Sequence, residues 1–269
     1  MPAPRSLNLC CKFVLSRKFR IVLVLFLLFT NSTLTAQNLR IEKIHCSLSK
    51  ANLASIQKIA RYEATFYNAV FDTEKNDSLA IRVRIFGRQE DFKQTPDGEN
   101  VLHLSSDGYL LANTNQIFVL KSEHVNSVLL HEISHAFLHN NMRNPPQWFD
   151  EGLATYFGSL TVEKDKLFYT PITGRIQRIR EMNQNGTLKL ADFLNKNERR
   201  WTGTDSQISD QYTIAYSLIY FLIKTNLNLV KHLADELNNG QSAFTILSQD
   251  FGGFEFFQSK YIKFYQQQS

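Results

Sequence analysis

The chain has 269 residues, of which 43% are hydrophobic, and a formal charge of +5. That much apolar side chain can bury a core, which excludes a chain that is mainly disordered. The charge does not point to nucleic acid either: Arg5, Lys12, Arg17, Lys18 and Arg20 lie in the first 36 residues, and the remaining 25 basic residues face 25 acidic ones.

The N-terminus reads as an export signal. RKFR precedes the apolar run IVLVLFLLF at 21–29, and polar NSTLTAQ follows at once. Such a core is far shorter than a membrane span of roughly 20 residues. Cleavage is expected after Ala36, although Leu34 is large for its place two residues earlier. An uncleaved anchor is the alternative. The expected product is a periplasmic or extracellular protein of residues 37–269 with no stable membrane span. Its one cysteine, Cys46, can form no internal disulfide. Cys46 and His45 on a strand would point to opposite faces, so a buried thiol is expected rather than a metal pair.

Alternation over 39–47 and over 79–87 predicts two strands. Between them, 49–72 has apolar residues at helical spacing, with Ser49 as N-cap. RQEDFKQT predicts a short helix, and TPDGEN a loop. GYLLA and NQIFVL, either side of Asn113-Thr114, predict a hairpin or a bent edge strand. From 123 onward the pattern turns helical. Helices are expected at 125–140, 150–160, 173–185, 209–225, 227–237 and 255–266, with Pro145 and Pro146 separating the first two. The last is aromatic-rich, and Phe254, Phe257, Tyr261 and Phe264 or Tyr265 are expected to pack on the domain. The fold class expected is α+β, as one domain of two lobes, 37–122 and 123–269.

The chemistry lies in HEISHAFLHNNMRNPPQWFDEGLATYF, 131–157. His131 and His135 are four apart, so on a helix both face one way. Two imidazoles so placed can reach one zinc ion at about 2.0–2.1 Å. Glu132 flanks them and can take a proton from a water at the metal. A catalytic zinc needs a third protein ligand. Leu138 and Asn141 stand where a further histidine motif would need Gly and His. The remaining candidates are Glu151 and Asp150 on the next helix, where Asp150 also suits an N-cap. His139, one turn past His135, is expected beside the site rather than as a fourth ligand.

HEISHAFLHNN paired with PPQWFDEGLATYF resembles the gluzincin metallopeptidases, and more narrowly the peptidase-MA-like metallohydrolases. The resemblance is strong over 125–158 and weaker over IRVRIFGRQEDF and DQYTIAYSLIYFLI. It implies His131, His135 and Glu151 as zinc ligands, Glu132 as general base, and a zincin-like fold with one Zn²⁺ in the cleft between the lobes. It also implies a tyrosine from the C-terminal lobe as oxyanion donor. Tyr212 holds that place, with Tyr216 four residues on along the same helix face. Thr155, four past Glu151, faces the same way. By analogy, an extended peptide would lie along the edge of the hairpin before the zinc helix.

The function expected is zinc-dependent hydrolysis of peptide bonds in an exported protein, by a metal-activated water with Glu132 as general base. The partner is then a peptide or protein substrate. The alternatives are a non-peptide amide hydrolase on the same zinc site and a metal-binding scaffold without turnover.

Overall fold

The computed structural model describes residues 38–95, 101–102, 107–196 and 201–267. The signal-peptide expectation at 1–36 and most of the TPDGEN loop fall outside the described residues. Within them the protein is mixed α and β, mostly helical, with two small sheets. No helix among the described residues is long and apolar enough to cross a membrane.

The first half builds the larger sheet. β1 (Leu39–Ile44) and β2 (Ile81–Phe86) run parallel, joined by the 22-residue helix α1 (Lys50–Phe71). Ser49 caps α1, its side chain accepting from Asn52 N, as the sequence predicts. After the short α2 (Gln89–Lys93) come β3 (Val101–Leu102), β4 (Gly108–Leu111) and β5 (Gln116–Leu120). β5 pairs parallel with β2, and the sheet order is β1-β2-β5-β4-β3. The β4–β5 hairpin is therefore not the edge. Leu110 and Leu111 of β4 pair with β3, which covers part of the side expected to be free.

Alternation along β2 sends Ile81, Val83 and Ile85 into the main core. The opposite face carries a small aromatic cluster of Phe86, Phe92, Tyr109 and Phe118 under α2. β1 is shorter than expected. His45 already has a positive φ of 52°, which ends the strand before Cys46. His45 is exposed and bonded to Asp91, while the half-buried Cys46 thiol donates to Ile85 O, so the two do not act together.

The helical half holds the site. α3 (Val125–Asn141) and α4 (Gln147–Gly158) form a helical hairpin about the proline turn. α4 begins three residues before the expected start, because Pro146 ends the turn as the N-cap and lets the helix open at once at Gln147. Its N-cap is Pro146, so Asp150 is not a cap. Next comes a small hairpin, β6 (Leu160–Glu163) and β7 (Lys166–Tyr169), whose turn residues Lys164 and Asp165 have positive φ. Then follow α5 (Thr173–Gln184), α6 (Leu190–Asn195), α7 (Asp205–Thr225), α8 (Leu227–Asn238), α9 (Ala243–Phe251) and α10 (Phe254–Gln267). α7 starts at a Thr204/Gln207 capping box, four residues before the expected start. One core cluster runs continuously from α1 and the sheet through α3, α4, α7 and α10, so the two halves share one interior. Phe257, Tyr261 and Tyr265 of α10 are buried in it.

Candidate metal centre

α3 is buried almost all round. Leu129, Leu130, Ile133, Ala136, Phe137 and Leu138 are core, and so are Glu132, Ser134 and His135. Burial on this scale holds polar side chains in fixed positions, provided their hydrogen bonds are met. Ser134 bonds to Tyr67 of α1 at 2.7 Å, which ties the back of α3 to the first half of the chain.

α4 packs antiparallel beside α3 and brings Glu151 back over the histidines. Gly158 lets the far end of α4 come close, since a Cβ there would sit 3.0 Å from Ser127 O and 3.5 Å from His131 Cβ. On its other side α4 meets α7. Gly152 makes that approach possible, because a Cβ there would lie 2.6 Å from both Ala215 O and Ile219 Cγ1. The E-G pair thus has a steric meaning: Glu151 faces α3 while Gly152 admits α7.

Three ligand-type atoms converge as a result. His131 Nε2 and His135 Nε2 are 3.1 Å apart, and Glu151 Oε2 lies 3.3 Å from the first and 4.0 Å from the second. The point equidistant from all three is about 2 Å from each, which is the Zn–N and Zn–O bond length. The donor set of two imidazoles and a carboxylate also suits zinc. The residues therefore fit the group.

The neighbours fix the tautomer and the carboxylate. His135 Nδ1 donates to Asp150 Oδ1 at 2.5 Å, leaving the Nε2 lone pair facing the other two atoms. Asp150 also bonds His139 Nε2 through its second oxygen, at 2.7 Å. His135, His139 and Asp150 form a second compact cluster that shares His135 with the first. A neutral imidazole serves one metal, so the Asp150 side of His135 reads as an orienting contact.

Tyr212 of α7 donates to Glu151 Oε1 at 3.2 Å, so the two oxygens of Glu151 have separate tasks. Burial, and then the Glu151 charge, push the Tyr212 hydroxyl well above its ordinary range, and it remains a donor. Glu132, 2% exposed, is close enough that its charge acts on Tyr212 too.

The other two expected residues lie elsewhere. Tyr216 is not at the centre: its hydroxyl pairs with Tyr169 and accepts from Ile172 N, and its ring stacks on Tyr220 at 6.0 Å. It shares a helix face with Tyr212, but β7 and the start of α5 take up that part of the face. The side chain of Thr155 makes no hydrogen bond to the cluster. Arg175, in the first turn of α5, was missed by sequence reasoning. Its guanidinium lies 6.0 Å from the centre of the Tyr212 ring. No spacing rule links it to the motif, since a separate hairpin and helix deliver it.

The family model described as Protein of unknown function (DUF1570) matches residues 126–241, less than half of the chain. The matched stretch holds α3 but for its first residue, α4, α7 and all the residues of the cluster. Among curated proteins, none matches the chain.

Proposed function

We propose that the chain is an exported zinc metallopeptidase of gluzincin type on a zincin-like fold. The observation that carries this reading is the triangle of His131, His135 and Glu151 with the buried Glu132 beside it. A purely structural metal site has no use for that second carboxylate, which disfavours a scaffold without turnover.

His131 Nε2, His135 Nε2 and Glu151 Oε2 would hold the ion. Bound zinc supplies a Lewis acid that polarises a carbonyl and makes water acidic. Glu132 accepts the proton of the attacking water and passes it to the leaving amine. Tyr212 donates to Glu151 in the resting site, and the same single hydrogen would turn to the charge that develops on the carbonyl oxygen. Asp150 keeps His135 in the tautomer that binds metal.

The test pairs metal analysis with turnover. Wild-type protein purified without added chelator should carry one zinc ion and cleave members of a random peptide library. Glu132→Gln should keep the zinc and lose roughly 10²–10⁴-fold in rate. Wild-type protein that takes up no zinc would overturn the reading. Zinc uptake with no cleavage of any peptide would exclude the peptidase assignment while leaving the metal site.

A further inference from the structure

Arg175 is a half-buried cation that forms no ion pair among the described residues. Its Nη1 donates to Thr213 Oγ1 at 3.3 Å, a neutral partner that uses one of the five guanidinium N–H groups. Among the described residues no carboxylate forms an ion pair with it. Burial is the main influence on it and lowers its proton affinity, while Glu151 and the tyrosines act the other way. Desolvating a cation without a matched anion is costly, and an arginine fork is shaped to take a carboxylate in two parallel bonds.

Its position says which carboxylate. The Tyr212 ring bridges the two features, with its hydroxyl 3.2 Å from Glu151 and the Arg175 guanidinium 6.0 Å from its centroid. The path from Arg175 across the ring to Glu151 is at most about 12 Å, and an extended peptide advances about 3.3–3.6 Å per residue, so the two features lie within about three or four residues of substrate. Arg178, one turn further along α5, is different: it is fully committed to Asp210 through two bonds of 2.8 Å.

We propose that Arg175 is a specificity residue that binds a carboxylate of the peptide substrate, within a few residues of the bond that is cut. The proposal rests on the metallopeptidase reading above. The carboxylate is either the C-terminal α-carboxylate or the side chain of Asp or Glu.

The experiment uses the zinc-loaded full chain and N-blocked hexapeptide mixtures in four forms: free acid or C-terminal amide, each with or without acidic side chains. Wild type should favour one carboxylate-bearing form by about 10- to 100-fold in kcat/KM. Preference for free acid over amide identifies the α-carboxylate, and preference for Glu over Gln identifies a side chain. Arg175→Gln should remove the preference by lowering the favoured form to the level of the others, with zinc content unchanged. Calorimetric binding of the same peptides to Glu132→Gln should show the same preference without turnover. Cleavage of all four forms at equal rates by wild type would overturn the proposal and leave the peptidase reading intact. An even loss over all four forms in Arg175→Gln would make the residue structural and would equally overturn it. No cleavage and no peptide binding at all would instead remove the reading beneath it.

Discussion

Asp150 accepts from His135 Nδ1 at 2.5 Å, with the carboxylate 2% exposed and the histidine fully buried. The bond sets the tautomer of a ring whose other nitrogen faces His131 and Glu151. Asp150→Ala should therefore weaken zinc binding by about 10- to 100-fold. Competition against a chromophoric chelator measures this directly. Asp150→Asn keeps an acceptor and loses the charge, so it should fall between Asp150→Ala and wild type. Equal affinity in all three would show that the contact only packs the helices.

Tyr212→Phe keeps the ring, including its edge contact with Trp201 at 4.7 Å, and removes the hydroxyl from Glu151. Zinc content should stay near one ion per chain. Peptide turnover should fall by about 10²-fold, mostly in kcat, as for a lost hydrogen-bond donor at the reacting oxygen. Unchanged kcat in the variant would limit Tyr212 to packing.

The candidate centre is legible in the sequence where its residues share a helix or adjacent helices. Four-residue spacing fixes His131 against His135, and a proline turn returns Glu151 to the same place. Asp150 reads in the sequence as a residue beside the ligands with an N-cap as its other explanation; the helix starts at Gln147, so the cap falls away, and Asp150 bonds His135 instead. Tyr216 and Thr155 show the limit of spacing arguments. Helical periodicity says which residues share a face, and not how far the neighbouring elements extend along it. Arg175 was invisible because β6, β7 and the turn before α5 determine where it lies. Those strands, with α6 and α9, were also missed, being short segments whose periodicity is set by tertiary packing. The parallel β1-β2-β5 order was likewise not readable, since strand pairing depends on how α1 and α3 share the sheet face.

Gly152→Ala tests the close approach of α4 and α7. An added Cβ would meet Ala215 O at 2.6 Å, which is backbone and cannot rotate away. Alanine gains about 1 kcal/mol in helix propensity over glycine. The overlap should outweigh that gain, with a net loss of about 1–3 kcal/mol in urea unfolding. Separation of the two helices also draws Tyr212 from Glu151, so zinc affinity should fall in the same variant. A variant more stable than wild type would mean that α7 yields easily.

Glu63 should make the protein less stable as pH rises. It is fully buried on α1, and among the described residues neither carboxylate oxygen has a hydrogen-bond partner. Burial pushes its pKa well above the ordinary value of 4.5. The unfolded chain ionises Glu63 near that ordinary value, while the folded chain holds the proton. The unfolded state thus binds fewer protons at neutral pH, and stability declines from the ordinary carboxylate range upward to the raised folded value. Glu63→Gln should flatten this slope. Glu63→Met, of similar length and without polar atoms, should also remove the desolvation cost, gaining about 1–3 kcal/mol at neutral pH. Thermal melts of wild type and both variants from pH 5 to 9, taken as differences so that other groups cancel, measure the effect. Parallel curves for wild type and Glu63→Gln would mean that the carboxyl finds a partner when it ionises.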